Sequence, residues 1–137
     1  MATIFPDVEV LLISRLKSTR DASTDPVWDD VFVGTIKPHT STSSYPEKLV
    51  IVRSDGGTTR ERGLVRTERV GISVYAADYA SASHLARLVE SSMRTYNYGD
   101  IKLVETILSP TRVEEKSTDT DEKRYITFEV TTKASSL

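Results

Sequence analysis

Between Arg69 and Ala76 apolar and polar positions alternate. Val70, Ile72, Val74 and Ala76 fall on one face; Gly71, Ser73 and Tyr75 fall on the other. A period of two marks a strand with one face on a core. At Asp78 the period changes. Ala82, Leu85, Ala86, Val89, Met93 and Tyr96 recur at helical spacing, with Arg87, Glu90, Ser91 and Arg94 between them. That pattern is an amphipathic helix. The Asp78 carboxylate is placed to accept from the free N–H groups of its first turn. Asn97 or Gly99 can take the left-handed conformation that ends it. A strand running straight into a helix implies a helix laid across one face of a sheet.

The remaining elements are read outward from this unit. Residues 6 to 17 form a first helix. Pro6 suits its first position, Asp7 and Glu9 suit its positive end, and Val8, Leu11, Leu12 and Leu16 make its apolar stripe. Val10 and Ile13 widen that stripe and point to a second contact, either a neighbour's sheet or another layer. Residues 18 to 26 read as loop. Val27 to Ile36 is a strand candidate, and Gly34 within it marks a bulge or a close backbone approach. Leu49 to Arg53 is a short apolar strand suited to a central position. Asp55-Gly56-Gly57 is a turn signal, so the following residues are the tip and return of a hairpin. Ile101, Leu103 and Glu105 alternate with Lys102, Val104 and Thr106 in a strand that Pro110 closes. Ile126, Phe128 and Val130 face inward in the last strand, Arg124 to Lys133, and a short tail follows.

The predicted order is α-β-β-β-α-β-β, and the fold class is α+β. The sheet is mixed but mostly antiparallel, with helices packed on it. Residues 1–137 read as one domain, a length that suits a single core, with extended loops at about 37–47, 56–64 and 112–123.

Composition narrows the function classes. Only 38% of residues are hydrophobic, which implies a modest core with arms that do not fold alone. Such arms order against neighbouring subunits or stay mobile. The 18 basic and 20 acidic residues leave a net charge of −2, unlike the basic excess of a dedicated nucleic-acid-binding module. There are no cysteines, hence no disulfide framework and no thiolate chemistry. No apolar run reaches the length of a membrane-spanning helix. The opening Met1–Asp7 lacks the basic and apolar regions of a signal peptide, so an intracellular, soluble protein is expected.

Candidate chemistry is sparse. His39 lies in a polar loop and His84 on the second helix, and neither has partners at metal-ligand spacing. Gly56-Gly57 lacks the Lys-Ser or Lys-Thr of a phosphate-binding loop. Asp119-x-Asp121-Glu122 lacks the glycine and closing glutamate of a calcium loop, so a solvated loop is expected there, as at Glu114-Glu115. No catalytic, cofactor-binding or metal-binding residue is assigned, and no enzyme activity is expected. The basic concentration is Arg53, Arg60, Arg62, Arg66 and Arg69. These residues either pair across strands with Glu61 and Glu68 or contact a neighbouring subunit or the DNA backbone. Arg53, Arg60, Arg62 and Arg66 are the candidate subunit interface.

Several phrases carry a family resemblance. They are Phe5-Pro6-Asp7-Val8-Glu9-x-Leu11-Leu12 and Val50-x-Val52-Arg53-x-x-Gly56-Gly57. Two more are Arg69-Val70-x-Ile72-x-Val74-Tyr75-Ala76-x-Asp78, leading into an alanine-rich helix, and Arg124-Tyr125-x-x-x-Phe128-x-Val130. Together they span residues 4 to 133, and the chain resembles the tail terminator proteins of long-tailed (siphovirus-type) phages of actinobacteria. Pro38 to Pro46 departs from that pattern. The resemblance implies a hexameric ring on the head-proximal end of the tail tube. Such a ring stops tube polymerisation and joins the tail to the head–tail connector protein. Its partners are then other copies of itself, the tail tube protein and the connector, with genomic DNA passing through the lumen without specific binding. The location implied is the virion, assembled in the host cytoplasm. No cofactor and no membrane are implied. Two alternatives stand beside it: another head–tail joining or tail tube protein, and a small α+β ligand-binding domain.

Overall fold

The computed structural model describes residues 2–38, 46–60, 63–97, 99–113 and 122–136. Its elements in chain order are β1 (Thr3–Ile4), α1 (Val8–Ala22), a 3-10 turn (Pro26–Trp28), β2 (Val31–Gly34), β3 (Lys48–Arg60), β4 (Val65–Ala76), α2 (Tyr79–Arg94), β5 (Ile101–Val113), β6 (Glu122–Lys133) and β7 (Ser135–Ser136). The five-stranded sheet has the order β2-β3-β4-β6-β5, and β1 pairs with β7 in a separate ribbon. The α+β class and the order of the main elements agree with the pattern read from the sequence.

The alternating stretch becomes the middle of the sheet. Val70, Ile72, Val74 and Ala76 are fully buried. Their neighbours across the ladders are Val50 and Val52 on β3 and Ile126 and Phe128 on β6. Both helices cover this one face: Leu12 and Leu16 of α1, and Leu85, Ala86, Val89 and Met93 of α2, join the same core. Asp78 caps α2 by accepting from the Ser81 N–H at 2.8 Å. Among the described residues, no helix lies on the opposite face of the sheet.

Several expectations are corrected. Helix α1 runs to Ala22 rather than ending near Lys17. Its cap is Asp7, which accepts from the Val10 N–H, and Pro6 precedes it. The polar last turns are held by tertiary contacts invisible to local pattern. Thr19 Oγ1 lies 2.7 Å from Ser92 Oγ on α2, and Arg20 Nη1 donates to the Val31 carbonyl at 3.0 Å. The expected strand from Val27 is split. Asp25 accepts from the Val27 N–H and Pro26 occupies the first turn, so the chain coils into a 3-10 turn that buries Trp28. Strand β2 then pairs with β3 in parallel. The chain length between Gly34 and Lys48 meets the requirement of about a dozen residues for connecting a parallel pair. Residues 39–45 of the predicted 37–47 loop lie outside the described residues.

Gly56-Gly57 is a bulge and not the hairpin turn. The β3–β4 register passes from Ser54↔Val70 to Gly57↔Glu68, one extra residue on β3, and pairing continues to Arg60↔Val65. Gly56 takes φ +79°, and a Cβ on Gly57 would lie 1.7 Å from the Thr67 carbonyl oxygen. The groups displaced by the bulge find partners. Glu9 accepts from the Ser54 N–H and Glu68 from the Ser54 hydroxyl, each at 2.8 Å, and that hydroxyl oxygen accepts from the Gly56 N–H at 3.2 Å. The predicted 56–64 loop is therefore strand over its first part.

Pro110 does not close β5, which continues to Val113. The β5–β6 register shifts between Ile101 and Leu103, Thr106 and Leu108, and Leu108 and Thr111. Proline is tolerated because β5 is an edge strand and Pro110 sits in an irregular stretch of its ladder. The first shift also breaks the simple alternation. Ile101 and Val104 are buried, whereas Leu103 is 47% exposed. Of the predicted 112–123 loop, Arg112 and Val113 belong to β5 and Glu122 and Lys123 to β6. Residues 114–121 lie outside the described residues.

Candidate functional site

The arginines predicted as an interface are distributed along the β3–β4 ribbon. Arg53 pairs with Gly71 in register, which places it on the helix-free face. Its side chain is 81% exposed, with Asp55 3.8 Å away. Arg66 shares the parity of Val70 and lies on the other face. It donates to Thr59 Oγ1 at 3.1 Å, and its guanidinium stacks 4.1 Å from the Phe5 ring centroid, tying the N-terminal segment to the ribbon. Arg69 faces its cross-strand partner Glu129 at 3.5 Å. The Arg60 backbone pairs with Val65. Arg62 and Glu61 lie outside the described residues. Arg53 and Arg66 thus emerge on opposite faces of the sheet rather than side by side.

His84 and Asp25 form a surface pair at the start of α2. His84 Nε2 lies 2.7 Å from Asp25 Oδ2. The Val27 N–H, followed by the His84 hydrogen bond, holds the Asp25 carboxyl below its ordinary value. Lys48 closes the same corner by donating to the Val27 carbonyl at 2.9 Å. These bonds anchor the 3-10 turn to α2 and β3. His39 lies outside the described residues, as do Asp119 and Asp121 of the calcium-like spacing. Glu122 of that spacing is engaged elsewhere. It accepts from Arg112 at 2.8 and 3.0 Å and from Arg124 at 3.1 Å. Those two arginines, Arg112 first, lower its pKa. Both guanidiniums also lie over the Tyr79 ring, at 5.4 and 4.7 Å. Arg124 is only 4% exposed, so this cluster is a structural rivet between β5, β6 and the start of α2. Among the described residues, no three His, Cys, Asp or Glu side chains gather in a way that could hold a metal ion.

The exposed apolar surface is more informative than any polar cluster. Strand β5 is a long outer strand of the sheet with Leu103, Ile107 and Leu108 at 47%, 47% and 42% exposure; Leu103 and Leu108, opposite Thr131 and Thr127, lie on the face away from the helices. Elsewhere Val10, on the face of α1 turned away from buried Leu12 and Leu16, is 59% exposed, and Ile36, past the end of β2, is 65% exposed. The sequence reading missed the β5 surface. Its signal was the apolar doublet Ile107-Leu108 followed, after Ser109, by Pro110, a combination that suits an edge strand.

Among the described residues, the architecture is a mixed sheet with two helices on one face and β2 and β5 as its outer strands. No protein-family model matches the chain, and no curated protein does either. The fold is similar to that of a chain in the virion of a native gene transfer agent particle, with a TM-score of 0.67 over 92% of this chain and 94% of that one, at 14% sequence identity.

Proposed function

We infer that this chain is a structural component of a phage-type virion, and that it forms the ring closing the head-proximal end of a tail tube. The observation that carries the reading is the similarity of nearly the whole fold to a virion chain. The sequence phrases at Phe5–Leu12, Val50–Gly57, Arg69–Asp78 and Arg124–Val130 support the terminator role within that class. The physics of such a ring suits the molecule. A ring needs two unlike surfaces that meet by rotation, and apolar side chains are exposed on β5 and, separately, on the outward face of α1. It needs no catalytic constellation, and we read the chain as non-enzymatic. A net charge of −2 suits a lumen through which DNA slides rather than one that grips phosphates.

Similarity to a virion chain is shared by ring and tube components alike, so a tube or joining protein is the second reading. Co-assembly separates the two. Purified chain added to polymerising tube protein should cap and shorten tubes, and light scattering with particle imaging should show closed rings of about six copies. Incorporation along lengthened tubes would overturn the terminator role in favour of a tube protein. Absence of any effect on tubes, with no self-association, would count against both. Charge reversal at Arg60 and Arg62 tests the arginine interface. It weakens ring formation if they contact a neighbour and leaves it unchanged if they are solvated.

A further inference from the structure

We propose that the segment before α1 is exchanged between copies of this chain, β1 of one copy pairing with β7 of another. The exchange stands on the β1–β7 ribbon and holds for the ring proposed above or for a smaller oligomer. Three observations carry it.

First, β1 gains little from its own chain. It pairs with β7 in a two-stranded ribbon apart from the main sheet, Thr3 opposite Ser136 and Ile4 opposite Ser135. Both of its residues are exposed, Ile4 at 54%. An isolated two-stranded ribbon is marginal in water. Strand β1 therefore detaches far more readily than the core sheet opens.

Second, the two sides of the ribbon are held unequally. The β7 side is fixed. The Lys133 N–H donates to the Asp100 carbonyl and the Ala134 N–H to the Leu64 carbonyl, each at 2.9 Å, and the Ser135 hydroxyl donates to Asp100 Oδ2 at 2.6 Å. The start of α1 is fixed as well, by buried Val8, by the Asp7 cap and by Glu9, which accepts from the Ser54 N–H. What pivots is β1 together with Phe5. Pro6 sets its own φ and favours an extended Phe5, so the pivot sits between Phe5 and the capped helix. Residues 2–5 span about 13 Å when extended, enough to cross between touching copies.

Third, exchange keeps the contacts that the single chain makes. Thr3 and Ile4 of a second copy rebuild the same ladder on β7, and the Phe5 ring takes the same seat over the Arg66 guanidinium, 4.1 Å from it in the single chain. This identity of contacts makes segment exchange a low-cost route to association. Exchange also has a gain of its own. It brings Ile4 and Leu64 to the junction between copies, where their exposed surface, 54% and 50% in the single chain, is covered. Leu64 belongs to that junction because its carbonyl holds Ala134 beside the ribbon.

The chain has no cysteine, so an introduced pair reports one contact. The test variant carries Thr3→Cys and Ser136→Cys. Directly opposed residues of an antiparallel pair have Cα atoms about 4.5–5.5 Å apart, within the span of a disulfide. Both positions are exposed, so the variant should keep the wild-type circular dichroism spectrum. It is oxidised at a concentration where light scattering shows oligomers. On a non-reducing denaturing gel it is then expected to run as linked chains, and peptide mapping of the linked bands should find position 3 bonded to position 136. Oligomers that yield single chains with an internal bond between these positions would overturn the exchange and leave the ring reading standing. Chains linked through like positions, 3 to 3 or 136 to 136, would overturn it too, because they report collision. A chain that stays monomeric at the highest concentration also overturns it, and the ring reading is then decided by the tube assay. Phe5→Ala checks the same contact without cysteines. Exchange predicts that half-assembly needs about tenfold more protein, the size of a lost cation–π seat, whereas an internal contact leaves that concentration unchanged.

Discussion

At the scale of single residues, the bulge in β3 shows how a short polar phrase acquires a structural role. Gly56 and Gly57 are adjacent yet constrained differently. Gly56 has a left-handed backbone with open space around its Cβ position, whereas a Cβ on Gly57 would strike the backbone of β4. Gly56→Ala should cost about 1 kcal/mol, the conformational penalty alone. Gly57→Ala should cost about 1–3 kcal/mol or more, because the ladder must separate to admit a methyl group. Urea unfolding of the two variants checks the order, and equal losses would show that the close approach is not maintained. Two carboxylates make a second residue-scale prediction. Asp25 and Glu122 are both held below their ordinary values in the folded chain, Asp25 by the Val27 N–H and then His84, Glu122 by Arg112 and then Arg124. A lowered folded pKa means that the folded state holds protons less readily than the unfolded one. The stabilisation is present above the ordinary carboxylate range and is lost as pH falls through the lower folded values. Melting temperature should therefore drop on acidification below about pH 4, in the range of unperturbed carboxylates. Glu122→Gln should flatten part of that drop while lowering stability at neutral pH, because it removes a counter-charge from buried Arg124.

At the scale of elements, α1 shows why a weakly patterned helix can still be firmly placed. Leu12 and Leu16 are fully buried against the sheet and α2, whereas Val10 on the same helix is 59% exposed. Leu16→Ala should destabilise by about 2–5 kcal/mol through lost transfer energy and a cavity. Val10→Ala should stay within about 0.5 kcal/mol, as surface substitutions do. Chemical denaturation of the monomeric form distinguishes them. A large loss at Val10 in the monomer would mean that the side chain has an intramolecular partner. Strand β5 is the complementary case. Its inward Ile101 and Val104 hold it to the core, while its register shifts turn other apolar side chains outward.

At the scale of the whole molecule, both helices lie on one face and the sheet's two edges differ in length and character. A monomer built this way leaves Leu103, Ile107 and Leu108 exposed on β5 and Val10 exposed on the outward face of α1. Association that covers them links folding to concentration, because anything that binds only the native state stabilises it. The melting temperature of the wild-type chain should rise with protein concentration, and that of the Ile107→Glu, Leu108→Glu variant should not. Scanning calorimetry across a hundredfold dilution series measures the difference. A concentration-independent melt for both would remove the link between these surfaces and stability.

Much of the architecture is determined by sequence alone, where the side-chain period matches a single burial face. The alternation from Val70 to Ala76, the helical stripe from Ala82 to Tyr96 and the inward set Ile126, Phe128 and Val130 all meet that condition, and all are buried in the core or at its margin. The Asp78 cap is equally local, because a carboxylate needs only the N–H groups of the next turn. Tertiary structure decided what depends on distant partners. The last turns of α1 are polar and acquire their helical state from Ser92 and Val31, remote in sequence. The Gly56-Gly57 phrase is compatible with a turn or a bulge, and the choice falls to Glu9 and Glu68, which accept from Ser54. The parallel placement of β2 is a matter of chain crossover, on which no local period bears. The arginines were legible as a charge concentration, but strand parity puts Arg53 and Arg66 on opposite faces. The β5 surface was hidden because a one-residue register shift exchanges inward and outward positions, and which residue absorbs the shift is settled by the fit of β5 to β6.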